Sequence, residues 1–293
     1  AKPIAVIVNA DSNLGWSVVE HIRESYDDKV KMRLMFRTRD DHDISDLEGG
    51  ARDIETIYGE ITKPHILAPV FEGATAAYFA VPGVKDRVEQ SKMFVDACMN
   101  HGVQHAVIDS VCAADKQETV YQKQFSEIEA YAMKRQGRAV TLKMADRGQK
   151  KFAPVVVRVP YLYQNFYASI PGIRKGMLYY PLEEGGLVHV DMEDVGKSIA
   201  SILTDPAKHN GKIYNLVGDK QMGNMIAATI NMKAATPCTY ESVPDEVAAI
   251  AFQKLGLEQW IAEGDVETLK FIRNGGLDDL GAGDVEELTG QKP

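Results

Sequence analysis

A short segment near the N-terminus has the residue types and the spacing to bind a phosphate group. An apolar run of strand length precedes residues 9–15, and a pattern of helical periodicity follows them. A strand, a tight turn and a helix in this order point the N–H groups of the helix N-terminus at a pyrophosphate. The glycine spacing G-x-x-G-x-x-G is occupied here by Asn9, Ser12 and Gly15. The segment is a candidate dinucleotide-binding loop that keeps one glycine.

The residues of this loop support two opposite interpretations. Gly15 keeps the glycine that lets the helix pack closely, and Asn9 adopts a positive φ more readily than most residues. Ser12 adds a hydroxyl near the phosphate position, whereas Asp11 adds a negative charge that is unfavourable beside a pyrophosphate. Either the loop binds a dinucleotide or it is the relic of one that did. If it binds, the predicted contacts are Asn9, Asp11, Ser12, Asn13, Leu14 and Gly15.

Arg37 stands at the end of the second predicted strand, where such folds choose between cofactors. An acidic residue at this point accepts the ribose hydroxyls of NAD, whereas an arginine suits the 2′-phosphate of NADP. Strand alternation places Arg33, Met35 and Arg37 on one side and Thr38 on the other. We therefore expect NADP(H) to be preferred over NAD(H); the alternative is a solvated strand end.

Ser110 and Tyr121 are candidates for acid–base catalysis, since Ser110 ends the fifth predicted strand and Tyr121 opens the next helix. Short-chain reductases combine a serine, a tyrosine and a lysine four residues later, which lowers the pKa of the phenol. Phe125 occupies that lysine position, and Lys123 lies about 200° around the helix from Tyr121. Tyr121 is therefore either an acid without its usual partner or an ordinary helix-surface tyrosine.

Four residues after a later strand are predicted to line a substrate pocket. They are Tyr161, Tyr163, Asn165 and Phe166. Their aromatic rings suit an apolar ligand, but an aromatic cluster of this kind is also typical of a protein core. The sequence leaves both interpretations open.

Strands and helices alternate at short spacing, which indicates a parallel sheet with right-handed crossovers. Several strands are apolar throughout, as expected when helices cover both faces. The predicted fold class is α/β, a Rossmann-type doubly wound parallel sheet with a smaller α+β C-terminal lobe. Ligands of such sheets lie at the carboxyl ends of the strands, which adds Val81, Pro82 and Ser110 to the predicted cofactor-binding residues.

The predicted domain boundaries follow from the same pattern. Residues 1–160 are expected to form an NAD(P)-binding domain, with late strands contributed by residues 187–218, and residues 161–293 mostly form the smaller lobe. Three further local features are predicted, namely a helical turn over 44–50, an extra strand over 139–143, and Thr62 as the N-cap of a helix over 63–71.

The composition of the 293-residue chain argues against several functions. A net charge of −9 and a pI near 5.3 disfavour nucleic-acid binding, because a phosphate backbone needs a basic surface. Three separated cysteines and seven scattered histidines lack metal-ligand spacing, so no metal is expected. No apolar run reaches the ~20 residues of a membrane span, and no signal peptide is visible. A cytoplasmic or nuclear location is therefore expected.

Several landmarks occur in one order along nearly the whole chain. They are residues 9–15, 32–37, 58–61, 80–82, 107–110, 127–131, 158–160 with Asn165, 190–195 and 211–218. Together they resemble the NmrA-like family of atypical short-chain dehydrogenase/reductases. The resemblance implies a Rossmann domain that binds NAD(P), a small C-terminal lobe, and a native chain that continues beyond Pro293.

The resemblance implies one of two kinds of function. Some family members are regulators that bind the dinucleotide and a protein partner without turnover, and others are NADPH-dependent reductases of small aromatic compounds or quinones. The reductases use a lysine where Phe125 stands. We therefore expect a dinucleotide-responsive regulatory or binding protein. The alternative is an NADPH-dependent reductase, or a non-redox isomerase or cyclase, acting on a small aromatic or polyketide-like molecule.

Overall fold

The computed structural model describes residues 2–38, 53–141, 150–234 and 237–293. The strands in this part of the chain are β1 (Ile4–Val8), β2 (Lys31–Phe36), β3 (Ile54–Tyr58), β4 (Ala76–Phe79), β5 (His105–Val111), β6 (Ala153–Val159), β7 (Tyr161–Leu162), β8 (Met177–Tyr180), β9 (Gly186–Val190), β10 (Ile213–Asn215), β11 (Asp219–Met222) and β12 (Thr239–Ser242). The α-helices there are α1 (Asn13–Ser25), α2 (Pro64–Phe71), α3 (Arg87–Asn100), α4 (Val120–Met133), α5 (Ile170–Ile173), α6 (Met192–Thr204), α7 (Gly223–Ala234), α8 (Asp245–Lys254), α9 (Gln259–Arg273) and α10 (Gly283–Thr289).

Seven parallel strands form the large sheet, in the order β10-β6-β5-β4-β1-β2-β3. The chain builds outwards from β1 in one direction and then, from β4 onwards, in the other. The order therefore reverses between β1 and β4, which is where doubly wound sheets bind their ligands. The predicted Rossmann-type fold class is confirmed.

Helices cover both faces of this sheet, and the apolar strands belong to two cores. In β1, Ala5 and Ile7 belong to the core under α1 and α6, whereas Val6 and Val8 belong to the core under α2, α3 and α4. All four side chains are fully buried. Burial on both faces explains why the strand is apolar at every position instead of alternating with polar residues.

A third core lies in the smaller part of the molecule. It is enclosed by a three-stranded sheet, β11-β9-β7, a two-stranded sheet, β12-β8, and the helices α7, α8 and α9. Leu178, Leu187 and Leu269 are buried there. Of the segment 187–218, β10 joins the large sheet, whereas β9 pairs with β7 and β11.

Three local predictions have different outcomes. The N-cap prediction is wrong: Lys63 is the N-cap of α2, because Pro64 starts the helix in its first turn, and the Thr62 hydroxyl donates to Glu60. In place of the extra strand over 139–143, Ala139 makes a single bridge to Lys151, and residues 142 and 143 lie outside the described residues. The predicted turn over 44–50 also lies outside them.

The described residues contain neither a membrane-spanning helix nor a cluster of metal ligands. No helix there is long and apolar enough to cross a membrane. No group of three or more histidine, cysteine, aspartate or glutamate side chains there is arranged to hold a metal ion. The three cysteines are buried free thiols.

Gly196 allows α6 to lie against α1, and its replacement tests this packing. A Cβ at Gly196 would stand 2.2 Å from Ser17 Oγ and 2.9 Å from Ser17 Cβ. Gly196→Ala is expected to lower the free energy of unfolding by about 1–3 kcal/mol despite the higher helix propensity of alanine. Urea denaturation measures the change. Gly281→Ala is the control, because nothing lies within 4 Å of its Cβ position; equal losses in the two variants would contradict the packing argument.

Candidate functional site

Asn9 connects the two strands between which the strand order reverses. It follows β1 directly and has a φ of 56°, in the left-handed region that its residue type tolerates. Its side-chain amide Nδ2 donates to the carbonyl oxygen of Ala80, just after β4, at 3.0 Å. The first position of the glycine spacing thus provides the turn and also joins the carboxyl ends of β1 and β4.

Ser12 is the N-cap of α1. Its Oγ accepts from the backbone N–H of Gly15 at 3.0 Å and donates to the carbonyl oxygen of Asn9 at 2.8 Å. The Ser12 hydroxyl is therefore held inside the turn. The N–H groups of Asn13 and Leu14, in the first turn of the helix, have no intrahelical acceptor. They remain as donors for a ligand in front of α1.

Gly15 lies where no side chain fits. A Cβ there would stand 2.4 Å from the carbonyl oxygen of Asn9 and 2.9 Å from Ser12 Oγ. The glycine thus lets the helix begin directly against the turn. Close backbone packing and open helix N–H groups are the features that a pyrophosphate requires. The loop fits a dinucleotide although two of its three glycines are replaced.

The Asp11 carboxylate binds Arg37, so its charge has a cationic partner at the end of β2. Its Oδ2 accepts from the backbone N–H of Arg37 at 3.3 Å and from Arg37 Nε at 3.2 Å. The Asp11 side chain is 1% exposed, whereas that of Arg37 is 43% exposed. The carboxylate therefore neutralises and orients Arg37 at the end of β2.

Arg33 does not join Arg37, although strand alternation places the two on one side. Its Nε pairs with Glu55 on β3 at 2.6 Å, and its Nη1 donates to the carbonyl oxygens of Val70 and Glu72 at 2.9 Å. Arg33 is buried and anchors the end of α2 to the sheet. Arg37 remains the predicted contact for a 2′-phosphate.

The Ser110 hydroxyl is held within a buried ion-pair network. It donates to Glu129 Oε1 on α4 at 2.5 Å, and Glu129 also pairs with Arg158 on β6 through two contacts of 2.8 Å. Arg158 Nη1 reaches Asp115 at 2.7 Å. The hydrogen bond to Glu129 raises the pKa of Arg158. The structure thus places Ser110 in a contact between β5, α4 and β6.

Tyr121 is buried under α9, which contradicts its interpretation as an ordinary helix-surface tyrosine. Its hydroxyl donates to the carbonyl oxygen of Ile261 at 3.1 Å. Burial raises the pKa of Tyr121, and the nearby carboxylate of Asp265 raises it further. In short-chain reductases the pKa of the tyrosine is lowered instead. The hydroxyls of Ser110 and Tyr121 therefore have different partners, the Glu129 carboxylate and the Ile261 carbonyl oxygen.

Phe125, at the position of the missing lysine, is part of an aromatic cluster. The Arg87 guanidinium lies 4.9 Å from the ring centre of Tyr121, 5.2 Å from that of Trp260 and 5.6 Å from that of Phe125. Burial lowers the pKa of Arg87, which is 7% exposed. This cation lies among the rings and joins α3, α4 and α9.

The predicted substrate-pocket residues divide into two groups. Tyr161 and Phe166 are buried with Tyr180 in the third core, where the hydroxyls of Tyr161 and Tyr180 lie 2.8 Å apart. Tyr163 is partly exposed and Asn165 is exposed. Tyr161 and Phe166 therefore follow the alternative interpretation as core residues, which leaves Tyr163 and Asn165 accessible to a ligand.

Asp109 is the residue at this edge that the sequence analysis missed. Its Oδ2 accepts from the Tyr78 hydroxyl at 3.0 Å and from the backbone N–H of Val81 at 3.1 Å. Burial raises the pKa of Asp109 to about 7. Val81 and Pro82, both predicted cofactor contacts, are partly exposed just after β4. The signal in the sequence was a carboxylate that directly follows the apolar run Ala106–Ile108 within a buried strand.

The order of the strands and the helices on both faces define the class of a Rossmann-type protein. The chain belongs to the NmrA-like family, whose model matches residues 1–269. The resemblance inferred from the order of the landmarks is confirmed.

Individual relatives are distant. The chain is 24% identical over 260 residues to an NAD(P)H azoreductase of Xenophilus azovorans, covering 88% of this chain and 83% of the relative. Among solved structures, an Escherichia coli NADPH-dependent quinone oxidoreductase complexed with NADPH matches with a TM-score of 0.78 at 19% identity, over 99% of this chain and 95% of that one. NmrA, a negative transcriptional regulator solved in complex with NAD, matches with a TM-score of 0.73 at 15% identity, over 100% and 92% of the two chains. The structural likenesses show the fold.

The network around Ser110 makes a prediction about stability. Glu129→Gln removes the buried partner of Arg158 and is expected to lower the free energy of unfolding by about 3 kcal/mol. Asp115→Asn removes the exposed partner of the same arginine and is expected to cost less than about 1 kcal/mol. Chemical denaturation of both variants measures the difference. Equal losses would mean that burial does not determine the strength of this network.

Proposed function

We propose that this protein binds a nicotinamide dinucleotide at the carboxyl edge of the large sheet, with residues 9–15 as its pyrophosphate loop. The observation that carries the proposal is the N-terminus of α1. Its first two N–H groups are open, its turn is closed by Asn9 and Ser12, and Gly15 permits the close approach. Val81 and Pro82, across the point where the strand order reverses, complete the proposed contacts.

The protein family supports a nicotinamide dinucleotide over other ligands of this fold. The azoreductase relative is named for NAD(P)H, and solved neighbours are complexed with NADPH and with NAD. In the proposed arrangement residues 1–160 form the dinucleotide-binding domain, completed by α6 and β10 from residues 187–218. Residues 161–293 mostly form the lobe that presents a surface to a substrate or a protein partner.

In the proposed function the bound dinucleotide regulates how the protein binds a partner. The protein does not use the tyrosine-and-lysine catalysis of short-chain reductases. The Ser110 hydroxyl is bound to Glu129, the Tyr121 hydroxyl is bound to Ile261, and Phe125 carries no charge. These groups lack the arrangement that delivers a proton to a carbonyl oxygen. A solved neighbour is described as a negative transcriptional regulator, which fits this role.

Arg37 is proposed to make NADP(H) the preferred ligand. Its guanidinium is oriented at the end of β2 by the buried Asp11, and 43% of its side chain is exposed to a ligand. Since the Asp11 carboxylate offsets part of its charge, we expect the preference to be moderate.

Titration calorimetry with NADPH, NADP⁺, NADH and NAD⁺ tests this function. The wild-type protein is expected to bind all four and to bind the phosphorylated pair more tightly. Arg37→Ala is expected to weaken NADP(H) about tenfold, since it removes a charge-assisted contact, and to change NAD(H) less than about twofold.

Arg23→Ala, on the exposed side of α1, is the matched control and is expected to leave the affinities for all four dinucleotides unchanged. Failure of the wild-type protein to bind any of the four at millimolar concentration would remove the proposed function. Equal losses for NADP(H) and NAD(H) in Arg37→Ala would remove the role of Arg37 alone.

A second candidate function is reduction of an electron-poor acceptor such as a quinone or an azo compound. The observation that favours it is the match to an azoreductase over 88% of this chain. When bound, the reduced cofactor supplies a hydride. The anion that a quinone forms on accepting a hydride takes its proton from water, so the site needs no tyrosine acid. Tyr163 and Asn165 would then contact the acceptor.

The variant Tyr121→Phe tests whether such a reductase needs the Tyr121 hydroxyl as a proton donor. Oxidation of NADPH in the presence of a quinone is the measurement, and the rate is expected to stay within about twofold of wild type, because the hydroxyl is committed to Ile261. A loss of about a hundredfold would instead assign Tyr121 as the proton donor. Retained thermal stability is the control that the variant folds.

A further inference from the structure

Asp109 lies beneath the point where the proposed dinucleotide crosses from β1 to β4. One carboxyl oxygen, Oδ2, accepts from the Tyr78 hydroxyl and from the Val81 backbone N–H. The other, Oδ1, is buried and has no hydrogen-bond partner among the described residues. The backbone N–H of the partly exposed Val81 is thus held by a carboxyl group that has one oxygen without a hydrogen-bond partner.

Among the described residues, no cation is found near enough to Asp109 to balance its charge. Its neighbour on β6 is Val157, and Tyr78 is the titratable group that reaches it from β4. The Glu129–Arg158 ion pair belongs to the opposite face of β5, where the Ser110 side chain points. On the helices that cover the Asp109 face, His21 of α1 pairs with Glu193 of α6, and on β10 the Tyr214 hydroxyl bonds His209.

We propose that Asp109 is a positioning residue that couples dinucleotide affinity to pH, binding being favoured by its protonated form. The inference rests on the proposed function. A neutral carboxyl group keeps the Val81 peptide in place without adding charge, whereas an ionised carboxylate places a negative charge in a low-dielectric region beneath an anionic ligand. Because burial raises the pKa of Asp109 to about 7, the group changes charge in the neutral range.

The sign of the effect follows from linkage. When a ligand prefers the protonated form of Asp109, the protein takes up a proton as the ligand binds. The affinity is therefore fully present below the pKa of Asp109 in the free protein and falls as the pH rises through that pKa. The affinity of the wild-type protein is expected to decrease about tenfold between about pH 6 and about pH 8.5. Asp109→Asn carries no charge at any of these pH values, and its profile is expected to be flat.

Calorimetric titration with NADH across this pH range is the test. NADH is the probe because it lacks the 2′-phosphate, which itself titrates near neutral pH. Repeating each titration in buffers of different ionisation enthalpy counts the protons taken up. Wild type is expected to take up a fraction of a proton near pH 7, and Asp109→Asn is expected to take up none.

A second variant keeps the test decisive if Asp109→Asn fails to fold. Tyr78→Phe removes one hydrogen bond that lowers the pKa of Asp109, so the midpoint of the profile is expected to move to higher pH. A merely structural role would lower the affinity at every pH and leave the midpoint in place. Asp96→Asn, half-exposed on α3, is the control and is expected to keep the wild-type profile.

The outcomes separate the inference from the function on which it rests. Wild type that binds NADH with the same affinity at every pH, or an Asp109→Asn profile as steep as wild type, overturns the role of Asp109 and leaves dinucleotide binding intact. Wild type that binds no dinucleotide at any pH overturns both. A flat Asp109→Asn profile together with a shifted midpoint in Tyr78→Phe supports the inference.

Discussion

The close approach of α1 to the turn before it is the constraint on which the candidate site depends. A Cβ at Gly15 would collide with the carbonyl oxygen of Asn9, the Asn9 amide reaches across to Ala80, and the Ser12 hydroxyl links Asn9 to Gly15. Each contact presupposes the others, because the left-handed Asn9 directs its carbonyl oxygen to the place where a Cβ at position 15 would stand. At two of the three customary glycine positions, an asparagine and a serine thus close the turn with hydrogen bonds.

Two buried carboxylates at the same edge of the sheet behave differently because their partners differ. Asp11 lies against the guanidinium of Arg37. The backbone N–H and the Nε–H of Arg37 both donate to one carboxylate oxygen of Asp11, so the negative charge has a positive partner. Asp109 faces a phenol and a peptide N–H, neither of which carries a charge, and its pKa rises. The first carboxylate orients the group proposed to select the cofactor. The second underlies the proposed sensitivity to pH.

Much of the fold was predictable from the sequence, because it depends on local patterns. Continuous apolar strands, helix periodicity and the glycine at position 15 sufficed for a doubly wound sheet, and asparagine is a residue type that tolerates the backbone angle found at position 9. The contacts of the site residues were not predictable. Ser110 meets a glutamate 19 residues later, Asp11 meets an arginine 26 residues later, and the Tyr121 hydroxyl meets a carbonyl group 140 residues away. Such partners follow from strand order and helix docking, which a single sequence does not specify.

The position of β10 in the chain determines how this molecule can be divided. The smaller part is made of two excursions from the large sheet. The chain leaves after β6 and returns for α6 and β10, then leaves again for β11, α7, β12, α8 and α9 and returns with α10, which packs against α6. A fragment cut at residue 160 would lose the seventh strand and would uncover Val157 and the other side chains that α6 protects. The two parts are therefore interleaved along the chain, and a fragment that keeps the whole large sheet has to be made by replacing both excursions with linkers, not by truncation.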